Sequence, residues 1–223
     1  MSVVDRLLGV VAPHECLGCM AEGSLLCVTC LNGLPQVPER CYRCRKLSPS
    51  SLTCASCHKT SRLRRVQVAT VYEGVAKELV WKLKFTGAQQ AAQPMVAKMA
   101  KIMGGDGSLA TLIIPVPTAT KRARQRGYDQ AELLARGLTN QAHLGYCACL
   151  ARIGHQHQHG AARAQRLKQL ASAFRVTRTQ LLDGAHVLLV DDVVTTGATL
   201  EAAARVLKAA GAGRIDAIVF AQP

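Results

Sequence analysis

The sequence predicts an α/β protein: a largely parallel sheet flanked by helices, with a small cysteine-rich module ahead of it. Two observations carry this prediction. From Val66 onward, short apolar runs rich in branched residues alternate with helical patterns, and such alternation builds parallel strands joined by crossover helices. Before that point, eight cysteines crowd into four Cys-x-x-Cys pairs: Cys16/Cys19, Cys27/Cys30, Cys41/Cys44 and Cys54/Cys57.

The cysteine segment comes first along the chain. A two-residue spacer turns the backbone so that both sulfurs face one centre, and two such knuckles supply the four thiolates of a tetrahedral site. Eight thiolates make two sites. In a reducing cytosol this spacing points to two structural Zn²⁺ ions rather than to disulfides. Sequential and crossed pairing of the knuckles are both open at this point. The segment has few large apolar residues, so metal binding is expected to supply its folding free energy. Gly18, Gly23 and Gly33 allow tight turns beside the knuckles. A closed four-thiolate site leaves no position for water, so no catalysis is expected there.

A boundary is expected after the last knuckle, giving a metal module over residues 1–62 and a second domain over 63–223. In that domain residues 66–72 alternate and read as a strand. Residues 75–84 read as an amphipathic helix with Leu79, Val80 and Leu83 on one side, and 88–103 as a second helix broken at Gly104. Residues 111–116 form a short apolar strand. Residues 121–142 are mostly helical, with an interruption around Gly127. Residues 144–150 are strand-like, and Cys147 and Cys149 within them are expected as core residues of that strand. Residues 153–171 are polar and basic and read as a loop with a helical part. A buried strand over 185–190, an alanine-rich helix over 198–210 and a strand over 215–221 complete the pattern.

The chain has 223 residues, 49% of them hydrophobic, which is enough for one substantial core plus an accessory unit and argues against disorder. No apolar run approaches the roughly 18 residues of a membrane span. Residues 7–12 are too short for a signal-peptide core. A cytoplasmic protein without membrane insertion is expected. The formal net charge is +14. Between Val116 and Arg178, eleven Lys/Arg are opposed only by Asp129 and Glu132. Such a field attracts polyanions, whether nucleic acid or a polyphosphate metabolite.

The stretch that carries chemistry runs from Val187 to Thr199. It reads as a buried strand, two carboxylates at its carboxyl end (Asp191 and Asp192), a small polar turn, then a helix. Ligands of open α/β sheets bind at that end of the strands. In the turn, Thr195, Thr196, Gly197, Ala198 and Thr199 offer backbone N–H groups and hydroxyls to a phosphate, and the helix dipole favours the anion. Two acids facing a phosphate would repel it. They suit sugar hydroxyls one step away, and ribose 5-phosphate presents both groups. A P-loop is excluded because no Gly-Lys-Ser/Thr ending is present. The residues after the strand 111–116, from Pro117 to Arg122, offer a second anion loop.

The stretch from Val187 to Thr199 resembles the signature of type I phosphoribosyltransferases that binds 5-phosphoribosyl-1-pyrophosphate (PRPP). The whole chain resembles the ComF family. Its cysteine segment is similar to that family's double zinc ribbon. Trp81-Lys82-Leu83-Lys84-Phe85-Thr86-Gly87, Pro115-Val116-Pro117 and Arg126-Gly127-Tyr128-Asp129-Gln130 are similar to further family elements. The resemblance implies a type I phosphoribosyltransferase-like sheet behind a zinc-ribbon module. It places Asp191 and Asp192 on the ribose hydroxyls and residues 195–199 on the 5′-phosphate. It assigns Thr118, Lys121, Arg122 and Arg126 to pyrophosphate. It sets Arg163, Arg166 and Lys168 in a flexible catalytic loop that closes over the leaving group, and brings Mg²⁺ with PRPP. The chain departs from the family at His157, Ala161 and Gln169, and Asp129 stands where Asn is frequent. His155, His157 and His159 alternate in the same loop and read as solvated rather than as metal ligands.

Three functions follow from the resemblance. The first is phosphoribosyl transfer to an unknown acceptor, and the second a PRPP sensor without turnover. The third is an accessory role in natural transformation, with single-stranded DNA and DNA-uptake proteins as partners. With one Trp, four Tyr and three Phe, stacking platforms are scarce, so DNA binding is expected to be dominated by phosphate contacts.

Overall fold

The computed structural model describes residues 14–103, 111–153 and 173–223. Its strands are β1 (Val66–Val71), β2 (Thr111–Pro115), β3 (Gly145–Tyr146), β4 (Leu150–Arg152), β5 (Phe174–Val176), β6 (His186–Val193) and β7 (Arg214–Gln222). Its helices, among the described residues, are α1 (Val28–Asn32), α2 (Ala55–His58), α3 (Gly74–Phe85), α4 (Ala92–Ile102), α5 (Thr120–Arg126), α6 (Gln130–Ala142) and α7 (Ala198–Ala209). Five strands form one sheet in the order β1-β7-β6-β2-β3, and every neighbouring pair is parallel. β4 and β5 pair antiparallel as a separate ribbon. None of the described helices is long and apolar enough to cross a membrane.

Alternation within the central strands sorts side chains to two faces. Leu188, Val190, Ile218 and Phe220 pack with Leu79 and Leu83 of α3, Met95 and Met99 of α4, and Leu134 and Leu138 of α6. Val187, Leu189, Ala217 and Val219 pack on the other face with Leu200, Ala203 and Leu207 of α7. Because both faces are covered, β6 and β7 read as continuous apolar runs rather than as alternating ones.

The cysteine module joins both layers. Leu26, Leu31 and Leu34 enter the first core; Tyr42 enters the second, alongside Leu63 just past the module. Lys98 of α4 is buried, and its Nζ donates to the carbonyl of Leu34 at 2.9 Å, just beyond α1. Burial pushes this ammonium below its ordinary range. The chain then passes directly into the sheet, with Arg64 N–H donating to the Ile215 carbonyl at 2.8 Å.

The expected interruption near Gly127 has a local cause. Gly127 ends α5 at φ 80, a left-handed position that glycine takes without strain. Asp129 then caps α6, its side chain accepting from the Ala131 and Glu132 N–H groups. The single strand expected over 144–150 is corrected. Cys147 N–H donates to Ile113 O at the sheet edge (3.0 Å), whereas Cys149 O accepts from Thr177 N–H (2.8 Å). The chain therefore leaves one sheet for the other between the two cysteines. Both are buried as core residues, but they sit between strands. β5, α1 and α2 are elements that sequence patterning did not anticipate.

Candidate functional site

The carboxyl edge of β6 carries Asp191 and Asp192. Asp192 N–H donates to Asp191 Oδ1 at 2.8 Å, so the two acids are held as a pair. Lys84, near the end of α3, places its Nζ 2.9 Å from Oδ1 and 2.8 Å from Oδ2 of Asp192. The Asp191 carboxyl is pushed up to about 8, first by burial and then by the neighbouring Asp192 charge. A partner that brings positive charge or hydroxyl donors would relieve this pair.

The chain beyond β6 turns through Thr195 and Thr196, both exposed, to Gly197. Gly197 is the N-cap of α7 and adopts φ 76. Ala198 N–H lies 3.4 Å from Thr196 Oγ1. The twelve-residue α7 thus presents its amino end, with threonine hydroxyls beside it, one step from the acid pair. The dipole and the first-turn N–H groups suit an anion.

A second loop lies alongside, because β2 is the neighbour of β6 and Val116 N–H still donates to Val190 O at 2.9 Å. Thr118 N–H donates to Asp129 Oδ2 at 2.7 Å, and its hydroxyl lies 3.0 Å from Gln130 Oε1. Lys121 and Arg122 are exposed in the first turn of α5. A cleft of about 330 Å³ opens between α3 and α5, lined by Lys84, Phe85, Gly87, Arg122, Gln125 and Arg126. Arg126 stacks over the Phe85 ring at 5.3 Å.

The structure therefore brings Asp191, Asp192, residues 195–199 and the loop of Thr118, Lys121, Arg122 and Arg126 to one edge of the sheet. Arg163, Arg166 and Lys168, with His155, His157 and His159, lie outside the described residues. Two site residues escaped sequence reasoning. Lys84 reaches Asp192 across 108 positions of chain; its only signal was its place in the family-like stretch from Trp81 to Gly87. Arg152 is held below its ordinary range by burial and by the nearby Arg122 charge, while Asp191 and Asp129 act on it in the opposite sense. Its guanidinium lies over the Phe174 ring at 5.3 Å, and nothing in its local sequence marked it.

The cysteines fall into two sets, Cys16/Cys19/Cys27/Cys30 and Cys41/Cys44/Cys54/Cys57, each with its four sulfurs within 4.8 Å of one another. Pairing of the knuckles is sequential. Cys19 and Cys27 sulfurs are 3.7 Å apart and those of Cys44 and Cys54 3.6 Å, too far for a covalent bond. Backbone N–H groups of Gly18 and Cys27 point at Cys16 Sγ (3.4 and 3.3 Å). Hydrogen bonding from Cys27 N–H leads in lowering the Cys16 thiol to about 6. Cys30 is pushed up to about 12, chiefly by the Cys27 and Cys19 side chains. Four such sulfurs ionise together only around a cation, so the donor set fits a tetrahedral metal such as Zn²⁺. A Cβ on Gly18 would lie 2.7 Å from Cys30 Sγ, which explains the glycine inside the first knuckle.

The phosphoribosyl transferase domain family matches residues 73–223. Competence protein ComFC of Bacillus subtilis is 25% identical over 82% of this chain and 77% of its own length. DNA utilization protein YhgH of Salmonella typhimurium is 29% identical over 86% and 87%, respectively. Competence protein F of Haemophilus influenzae is 34% identical over 48% of each chain. With the parallel sheet, the acid pair and the two four-cysteine sets in place, the chain belongs to the phosphoribosyl transferase domain family and is a ComF-family protein.

Proposed function

We propose that this protein binds PRPP with Mg²⁺ at the carboxyl edge of β6 and transfers its phosphoribosyl group to an acceptor, in a DNA-uptake or DNA-utilization context. The observation that carries the reading is the acid pair Asp191–Asp192, followed directly by the amino end of α7 at Gly197. The acids accept hydrogen bonds from the two ribose hydroxyls. Residues 195–199 hold the 5′-phosphate. Thr118, Lys121, Arg122 and Arg126 face the pyrophosphate, and Arg163, Arg166 and Lys168 close over it. In the transfer step the acceptor's lone pair attacks the anomeric carbon, and the bond to pyrophosphate breaks with its electron pair on the leaving oxygen. Positive groups around that oxygen stabilise the developing charge. Mg²⁺ bound to the substrate would add to that stabilisation. On this reading residues 1–62 are a module for two structural Zn²⁺ ions and residues 63–223 the phosphoribosyl domain, and two four-thiolate sites suit a reducing cytoplasm. The relatives' names, which concern competence and DNA utilization, supply the biological context. A sensor that binds PRPP without turnover would use the same contacts, and detection of pyrophosphate release separates the two.

The test is calorimetric titration with PRPP and Mg²⁺ on the wild type and on Asp191→Ala/Asp192→Ala. Binding lost in a variant that keeps its zinc supports the reading; equal affinity in both refutes it.

One observation favours single-stranded DNA as a second ligand. Trp81 and Phe85 are 51% and 65% exposed on successive turns of α3, with ring centroids 6.2 Å apart and Arg126 over Phe85. Although the chain has few aromatics, two of them form a surface platform beside the basic α5. Bases stack on such platforms at about 1–3 kcal/mol each. Anisotropy with a labelled oligothymidine would show about tenfold weaker binding for Trp81→Ala/Phe85→Ala on this reading; unchanged affinity would exclude the platform.

A further inference from the structure

Tyr42 lies between two sulfur ligands, Cys41 and Cys44, yet its side chain faces the sheet domain. It is 2% exposed and packs in the core beneath α7. A Cβ built on Gly197 would fall 2.4 Å from Tyr42 Cε2 and 2.7 Å from Cδ2. The ring therefore rests against the bare α-carbon at the centre of the anion loop. Its hydroxyl donates to Glu201 Oε1 and lies 3.1 Å from Ser61 Oγ. Arg62 N–H donates to the other oxygen, Oε2, at 3.2 Å. Glu201 stands in the first turn of α7. A carboxylate there would repel an anion arriving at the same helix end. Both of its oxygens are instead engaged by residues from the cysteine segment.

We propose that Tyr42 is a positioning residue through which the second four-cysteine site sets the shape and charge of the anion loop, so that the loop is ordered for its ligand only when that site holds metal. The inference rests on the reading of residues 195–199 as the phosphate-binding loop. The backbone around Tyr42 is held by short-range contacts, together with the Arg43 guanidinium donating to Cys57 O at 3.2 Å and Thr60 Oγ1 at 2.7 Å, both within or just past the last knuckle of the same four-cysteine set. Arg45 N–H donates to Cys41 O and Cys41 N–H to Lys46 O, both at 2.9 Å, and Arg40 bridges Leu47 as an isolated pair. Ligation of Cys41 and Cys44 fixes the segment from both sides of the ring. Without metal the ring is released, the space under Gly197 opens, and Glu201 loses one of its two donors. The two cysteine sets differ in this respect. Cys16, Cys27 and Cys30 pack in the core layer shared with α3 and α4, on the sheet face opposite α7.

Amide hydrogen exchange of residues 195–201, together with titration by PRPP and Mg²⁺, tests this on the full chain. Zinc-loaded wild type, Tyr42→Phe, Tyr42→Ala and chelator-stripped wild type are compared, with exchange in β6 and β7 as the control for global loosening. In Tyr42→Ala the loop amides are expected to exchange about tenfold faster or more while the strands keep their protection. PRPP affinity falls by about tenfold with it. Tyr42→Phe restores the ring under Gly197 and recovers most of the loop protection. Stripped wild type behaves like Tyr42→Ala. Wild-type loop exchange in zinc-loaded Tyr42→Ala overturns the proposal. Should that variant fail to fold, wild-type loop exchange in the stripped protein overturns it equally. Faster loop exchange in a protein whose wild type binds no PRPP would uphold the coupling and reject the assignment of the ligand.

Discussion

Lys84 and Asp192 form the ion pair that ties α3 to the edge of β6, with Nζ 2.9 and 2.8 Å from the two carboxylate oxygens. Asp192 is 7% exposed, so little water is at hand to replace this partner. Lys84→Met keeps most of the aliphatic stem and leaves two adjacent acids unbalanced. Urea unfolding is expected to show a loss of about 2 kcal/mol. PRPP affinity is expected to fall by about tenfold as the acids repel the ligand's phosphates.

Asp191 gives the ligand-free protein a pH dependence. Its folded pKa, about 8, lies above the ordinary 3.8, so the folded state holds the proton more tightly than the unfolded one. The stabilisation is complete below about pH 4 and disappears as pH rises through about 8. Melting temperature should therefore decline across this window, and Asp191→Asn should flatten the decline. An equal slope in the variant would locate the titrating group elsewhere.

The two cysteine sets make metal stoichiometry a direct readout. Native mass spectrometry of the wild type should show two Zn²⁺ per chain, one for each set. Cys27→Ser removes one ligand of the first set and should reduce the count to one. Structural zinc contributes on the order of 10 kcal/mol to such modules, so limited proteolysis should then cut within the first knuckles while the sheet stays resistant.

Gly197→Ala meets two obstacles at once. The residue sits at φ 76, which costs an alanine about 1 kcal/mol. Its Cβ would also press on the Tyr42 ring, and overpacking of that kind costs about 1–3 kcal/mol. In a double-mutant cycle, Tyr42→Ala should remove the second term and leave the first. The coupling energy should be about 1–3 kcal/mol; a value near zero would mean that ring and loop do not meet.

Much of this architecture was legible in sequence because local chemistry and tertiary role coincide in it. The apolar run at 187–190 could only be a strand covered on both faces, and the acids and threonines after it could only lie at its open end. The knuckle spacing set the metal donors in the same way. What escaped was non-local. Lys84 looks like an ordinary surface base until α3 brings it to Asp192 at the edge of β6. Nothing in the local sequence around Tyr42 or Glu201 joins them; their meeting spans 159 positions. The strand expected over 144–150 failed because apolar character does not say which of two sheets a segment joins.

β7 lies between β1 and β6 in the sheet, although β1 precedes β6 by most of the domain. During synthesis β1 therefore waits, its edge unpaired, until Arg214–Gln222 has left the ribosome. A stop codon ahead of Arg214 would not trim a border strand; it would sever β1 from the rest of the sheet. Nascent chains arrested before that point should be degraded or held by chaperones, whatever the metal content of their knuckles.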